Sequence, residues 1–131
     1  QLSGNQDLHL EVRRSAVQQL VSDPSRYSGF AVNSTWSDYL QQMREPCTWG
    51  DNLTLQALAD HYRTLIMVVT DFAEQPLKRI DPILEGNVVR TVWLGFYAET
   101  HYVSLEDHVP GAVASDNGRC RVCLARGLDA P

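Results

Sequence analysis

Apolar positions recur every three to four residues through the first half of the chain and then fuse into short runs, so helices are predicted before strands. Between Asp7 and about Val21, Leu8, Val12, Ala16 and Leu20 fall four apart, and Val17 and Val21 widen the stripe. Asp7 is placed to cap this helix, and Asp23-Pro24 to end it. A second, short helix capped by Ser34 or Thr35 carries Trp36, Tyr39, Leu40 and Met43 on one side and stops before Pro46. A third, capped by Asp51 or Asn52, turns Leu55, Leu58, Ala59 and Tyr62 inward.

Leu65 to Val69 is a continuous apolar run, rich in β-branched residues and too short for a helix, so it reads as a buried strand. Leu77 to Ile80 reads as an edge strand, because Pro82 confines it there. A turn at Gly86-Asn87 leads into strands from Val88 to Tyr97 and from Tyr102 to Leu105. Helices followed by strands indicate an α+β domain of three-layer α/β/α type, a small mixed sheet flanked by helices.

At 131 residues and 44% hydrophobic, the chain supports one domain with a modest core. That domain is assigned to residues 1–109. Residues 110–131 lose all periodicity and read as a flexible tail. A net charge of −5 with eleven scattered basic residues argues against nucleic acid as a partner, and Arg13-Arg14 reads as a solvated face. No run approaches the roughly 20 apolar residues of a membrane span, and no signal-peptide pattern is present. Three cysteines, Cys47, Cys120 and Cys123, in a chain of this size point to a reducing compartment, cytoplasm or nucleus. Asn33-Ser34-Thr35 and Asn52-Leu53-Thr54 match glycosylation sequons and read instead as helix caps or chance. Gln1 in place of an initiating methionine suggests a fragment or a processed form.

Chemistry concentrates in Val92 to Leu105, where an apolar strand breaks and His101-Tyr102 opens the next. A histidine at a strand mouth suits proton transfer, since rigid strands fix its ring while its tip stays reachable. Read by itself, it serves equally as a structural strand-end histidine. His9 and His61 sit among polar residues on helices and read as exposed. Cys120-Arg121-Val122-Cys123 has the spacing of half a zinc site or a redox pair, but a zinc site needs two further ligands and only His108 is near, so no metal or cofactor is assigned.

Two blocks occur together: Thr48-Trp49-Gly50-Asp51-Asn52-Leu53-Thr54-Leu55-Gln56-Ala57-Leu58-Ala59 before a strand, and a later strand that closes in Glu99-Thr100-His101-Tyr102-Val103-Ser104. The pair resembles the ovarian-tumour (OTU) family of cysteine proteases, most of which remove ubiquitin, and the resemblance extends over about residues 1 to 106. It implies a papain-like OTU fold, ubiquitin or polyubiquitin as partner, a monomer, and no metal or organic cofactor. It also makes His101 the general base that takes a thiol proton and then protonates the leaving lysine amine. Tyr102 would pack beside the ring, Trp49-Gly50 would shape the turn into the third helix, and Tyr102 and Trp49 become substrate-binding candidates. Trp49 reads equally as a buried anchor of that helix.

The chain departs from the family pattern twice. Asn or Asp usually stands two residues after the histidine to orient it; here Val103 cannot accept a hydrogen bond, leaving Glu99, Glu106 or Asp107 as substitutes. The family's Asp-Gly-x-Cys nucleophile precedes a helix that leads into the segment matching Gln1-Leu2-Ser3-Gly4, so the cysteine is expected upstream of Gln1. Asp116-Asn117-Gly118-Arg119-Cys120 echoes that motif at the opposite end, making Cys120 the nucleophile if the fold is circularly permuted. Cys47 matches no nucleophile motif. A catalytically inactive OTU-fold module that only binds ubiquitin is the alternative function.

Overall fold

The computed structural model describes residues 1–2, 5–31, 34–83, 86–97 and 101–105, with the backbone alone at 6 and 101. The first helix, α1 (His9–Ser22), starts behind a single 3-10 turn, Gln6–Leu8. Because that turn sets the helix back by two residues, Asp7 does not cap it. The Asn5 Oδ1 instead accepts the Asp7 N–H at 2.9 Å. At the other end Asp23 stops α1 as expected and caps α2 (Pro24–Tyr27), its Oδ1 accepting the Arg26 N–H at 3.3 Å. Val21 departs from the predicted stripe and is 45% exposed. The Asp23-Pro24 turn folds Tyr27 back into the core cluster of Leu20 instead.

Helix α3 (Trp36–Arg44) is capped by Thr35, whose Oγ1 accepts the Asp38 N–H, and it buries Tyr39, Leu40 and Met43 as the pattern predicts. Helix α4 (Asn52–Tyr62) begins in a reciprocal capping box: Asp51 Oδ1 accepts the Thr54 N–H, and Thr54 Oγ1 accepts the Asp51 N–H. Both sequon threonines therefore serve helix starts. Arg63 ends α4 in the left-handed region, at φ 48°, and its N–H returns to the last helical carbonyls. The chain is thus turned directly into the first strand.

Strands β1 (Thr64–Thr70), β2 (Leu77–Ile80), β3 (Arg90–Tyr97) and β4 (His101–Leu105) form one mixed sheet in the order β2-β1-β3-β4. β1 is parallel to β3 and antiparallel to β2, and β3 is antiparallel to β4. β2 is an edge strand, as Pro82 required.

Helix α4 lies against the sheet, with α1 and α3 behind it. One core cluster, Ala16, Val17, Leu20, Tyr27, Tyr39, Leu40, Met43 and Ala57, joins the helices, and a second, Ala59, Ile66, Val68 and Ile80, joins α4 to the strands. Ala57 and Ala59 are fully buried, one in each cluster, because only small side chains let a helix approach partners on both sides. This double burial changes the predicted inner face of α4. Leu55, Leu58 and Tyr62 are half-buried, while Thr54 and Asp60 are enclosed.

Asp60 is 1% exposed, and a carboxylate there must be hydrogen-bonded to be tolerated. Tyr27 Oη donates to Asp60 Oδ2 at 2.6 Å, and the Ile83 N–H and Gln56 Nε2 donate to Oδ1 at 2.6 and 3.3 Å. Gln19 Nε2 in turn donates to the Tyr27 hydroxyl at 3.2 Å. Among the described residues no buried side-chain nitrogen or oxygen lacks a partner.

Burial, and then the bond to Asp60, push the Tyr27 phenol up to about 12. Its folded value lies above the unfolded value of about 10, so folding favours the protonated phenol. That contribution is complete below about pH 10 and is lost as pH rises through about 12. Tyr27→Phe, which removes a donor from Asp60, is expected to cost about 1–3 kcal/mol in denaturant unfolding at neutral pH. The variant's stability should also fall less steeply than the parent's between about pH 10 and 12.

Candidate active site

The later of the two blocks forms one end of the sheet. β4 opens at His101, which stands opposite Tyr97, and the next pair is Tyr102 opposite Phe96. The Tyr102 and Phe96 rings lie 4.6 Å apart, and Phe72, in the loop after β1, lies 6.3 Å from Phe96. A row of aromatics therefore crosses the strand ends beside His101. The Tyr102 phenol titrates above its ordinary range, first because it is buried and then because the Asp51 carboxylate acts on it. Leu55, one turn into α4, packs on the same core cluster as Phe96 and Tyr102, so the helix and the strand that carries His101 share that cluster.

Local chemistry explains why this helix start has its sequence. A Cβ on Gly50 would lie 3.0 Å from Thr54 Oγ1, so glycine leaves room for the hydroxyl of the capping box. Tyr39 Oη donates to Asp51 Oδ1 and Oδ2 at 3.0 and 3.2 Å, tying α3 to the same cap. Burial, with the neighbouring Asp51 charge, raises the Tyr39 phenol as well. The loop before the cap is held from α1. Arg13 Nη1 donates to Met43 O at 3.0 Å, and Nη2 donates to Thr48 O at 2.5 Å. Arg13 is thus half-buried and structural, whereas its pairing with Arg14 had suggested a solvated face. On a helix, neighbours in sequence point about 100° apart, and only one of the two arginines reaches the loop.

Trp49 is 49% exposed, so it does not anchor α4 from inside the core. Cys47 is exposed in the turn that follows α3. His9 and His61 are exposed, as expected. The imidazole of His101, Glu99, Glu106, Asp107, His108, Cys120, Cys123 and the tail from 110 lie outside the described residues. No group of three or more His, Cys, Asp or Glu side chains able to hold a metal occurs among the described residues. No helix in that set is long and apolar enough to cross a membrane.

Val103 stands opposite Gly95 in the β3–β4 register. A Cβ on Gly95 would come within 2.9 Å of Val103 Cγ2, so the valine occupies the space a side chain at 95 would need. Position 103 is thus an apolar packing partner.

Sequence reasoning missed Gln1. Its carboxamide sits at the open end of the β3–β4 ladder, where Nε2 donates to Trp93 O at 2.8 Å, Ser104 Oγ at 2.5 Å and Leu105 O at 3.1 Å. Oε1 accepts the Trp93 N–H at 3.1 Å. Contacts across about a hundred residues of chain leave no local signal.

Comparison with known proteins agrees with this architecture. A family profile described as OTU-like cysteine protease matches residues 1–102. The chain is 42% identical over 102 residues to the Arabidopsis thaliana "OVARIAN TUMOR DOMAIN-containing deubiquitinating enzyme 10", covering 78% of this chain and 28% of that protein. It is 38% identical over 105 residues to enzyme 11 of the same series in that plant, covering 80% of this chain and 42% of that protein. It therefore spans less than half the length of these relatives. Among solved structures, that of the OTUD1 OTU domain superimposes with a TM-score of 0.66 at 19% identity, covering 79% of this chain and 71% of that one. An OTU domain solved in complex with ubiquitin gives a TM-score of 0.58 at 18% identity, covering 72% and 52%.

The packing of Val103 on Gly95 is open to a direct test. Valine is stiff about its first torsion and cannot swing aside, so Gly95→Ala is expected to destabilise the chain by about 1–3 kcal/mol. Val103→Ala in the same chain should recover most of that loss, measured as a double-mutant cycle of denaturant midpoints.

Proposed function

The chain belongs to the family of OTU-like cysteine proteases, and from that premise we propose that it supplies the general base of a thiol-dependent deubiquitinase, His101. The observation that supports the reading is the shared core cluster on which Leu55 and Leu58 of α4 and Phe96 and Tyr102 beside His101 all pack, joining the two halves of the chain. The names of the relatives, deubiquitinating enzymes, supply the substrate class.

In this reading the His101 imidazole takes the proton of a cysteine thiol, and the thiolate attacks the isopeptide carbonyl carbon. The tetrahedral oxyanion collapses, the carbon–nitrogen bond breaks, and the imidazolium gives its proton to the departing lysine amine. Water, deprotonated by the same imidazole, then hydrolyses the thioester and frees the ubiquitin carboxylate and the thiol. Val103 offers the ring no acceptor, so the tautomer is held from elsewhere. Tyr102 and Trp49 contact the substrate beside the base.

The nucleophile of this reading is the cysteine that the family resemblance implies upstream of Gln1.

A second reading, an OTU-fold module that binds ubiquitin without cleaving it, is favoured by Val103, whose side chain fills the space over Gly95.

Incubating the full-length protein with a ubiquitin probe carrying a C-terminal electrophile separates these readings. Labelling of a cysteine upstream of Gln1, with di-ubiquitin cleavage abolished by His101→Ala, is the expected outcome. Labelling of Cys120 would replace the upstream nucleophile with a permuted one. Ubiquitin binding with neither labelling nor cleavage would establish the binding module.

A further inference from the structure

We infer that Phe72 is a specificity-determining contact for the ubiquitin tail, the exposed end of an aromatic row that leads to the His101 strand; this deepens the reading above and rests on it. Single exposed apolar side chains are ordinary on a protein surface, so exposure alone argues nothing. The loop around Phe72, however, is built to hold it. β1 ends at Thr70, whose N–H donates to Pro76 O at 2.9 Å. Thr70 Oγ1 donates to Gln75 O at 2.6 Å and accepts the Phe72 N–H at 3.2 Å. The Gln75 N–H donates back to Phe72 O at 3.2 Å, closing a turn over Ala73 and Glu74. Both backbone groups of Phe72 are thus bonded while the residue stays 41% exposed.

Strand register puts this loop at the His101 end of the sheet. Thr70 pairs with Phe96 across β1 and β3, and Phe96 with Tyr102 across β3 and β4, one residue from the Tyr97–His101 pair. Two strand spacings, about 10 Å, separate Thr70 from Tyr102. The 6.3 Å and 4.6 Å ring separations make Phe72, Phe96 and Tyr102 one continuous row, half-buried at Phe96 and Tyr102 and open at Phe72. Phe72, Ala73, Glu74 and Gln75 line a shallow hollow of about 290 Å³, which leaves room against the ring for an incoming side chain.

A substrate whose scissile bond lies at His101 reaches this loop through extended chain. At about 3.3 Å per residue, 10 Å is about three residues, so the ring meets an apolar side chain at that remove from the bond. The two sides of the isopeptide differ in what they offer. The acceptor changes from one conjugate to the next, whereas the C-terminal segment of ubiquitin is the same in all. A contact fixed in advance suits the constant side, because no ordering is required when the substrate arrives.

The test uses the full-length protein and two substrates, di-ubiquitin and ubiquitin carrying a C-terminal fluorogenic amide, which has no acceptor protein. In Phe72→Ala, KM for both is expected to rise about fivefold or more while kcat stays within about twofold, the signature of lost uniform binding. Phe72→Leu, which keeps apolar bulk, should stay within about twofold of the parent in KM. Thr70→Val, which keeps shape but frees the loop, should raise KM about as Phe72→Ala does, with the denaturant midpoints of both Phe72 variants unchanged.

An unaltered KM in Phe72→Ala overturns the proposal while leaving the deubiquitinase reading intact. A fall in kcat at constant KM assigns the ring to support of the His101 hairpin and overturns it too. A higher KM for di-ubiquitin alone moves the contact to the acceptor and overturns the tail assignment. If the parent cleaves neither substrate, the enzymatic reading fails on its own, and ubiquitin titration decides: affinity about fivefold weaker in Phe72→Ala upholds the contact, and equal affinity or no binding by the parent overturns it.

Discussion

The fold hangs on one buried carboxylate. Asp60 sits near the end of α4 and gathers donors from Tyr27 of α2, from Gln56 a turn earlier in its own helix, and from the Ile83 backbone beyond β2. Through the Tyr27 hydroxyl it also reaches Gln19 of α1. Three pieces of chain thus meet at one side chain inside the protein, and α1 is tied to it through Tyr27. A buried charge without partners would cost several kcal/mol, so none of these pieces can shift without exposing or stranding it. This constraint orients α4, and α4 carries the Asp51 cap at its other end.

Between these two ends α4 serves as a rigid ruler. Alanines at 57 and 59 let helices approach on one side and strands on the other, so its placement has little slack. Its start is braced independently by Tyr39 on the Asp51 carboxylate and by Arg13 on the preceding loop. Catalytic geometry needs supports of this kind, because a base is useful only if the elements on either side of it are fixed. The β3–β4 hairpin is braced in its turn by cross-strand packing at Gly95 and Val103 and by the Gln1 amide at its open end.

Val103 braces the hairpin by packing. A branched apolar side chain over a glycine tightens the hairpin through van der Waals contact, where an amide or carboxylate would orient a neighbouring imidazole. The same position can serve sheet packing or the tautomer of the base, and here it serves packing.

Much of this was legible in the chain itself. The helix caps at Thr35 and Asp51, the stop at Asp23-Pro24, the edge strand before Pro82 and the α+β class all follow from local rules whose partners lie within a few residues. The family was legible too, because a His-Tyr pair after an apolar strand, set beside a Trp-Gly helix start, carries its pattern. What the sequence could not reveal is whatever depends on residues far apart. Arg13 looked like surface charge until the fold brought Met43 and Thr48 carbonyls to it. Trp49 looked like a core anchor and lies half outside. Asp60 broke the apolar periodicity of α4, and only the convergence of Tyr27 and Ile83 made its burial affordable. Gln1 has no local motif at all. Periodicity and capping are decided by nearest neighbours, so sequence alone determined the elements; buried polar groups are decided by which distant donors arrive, and that only the tertiary structure could choose.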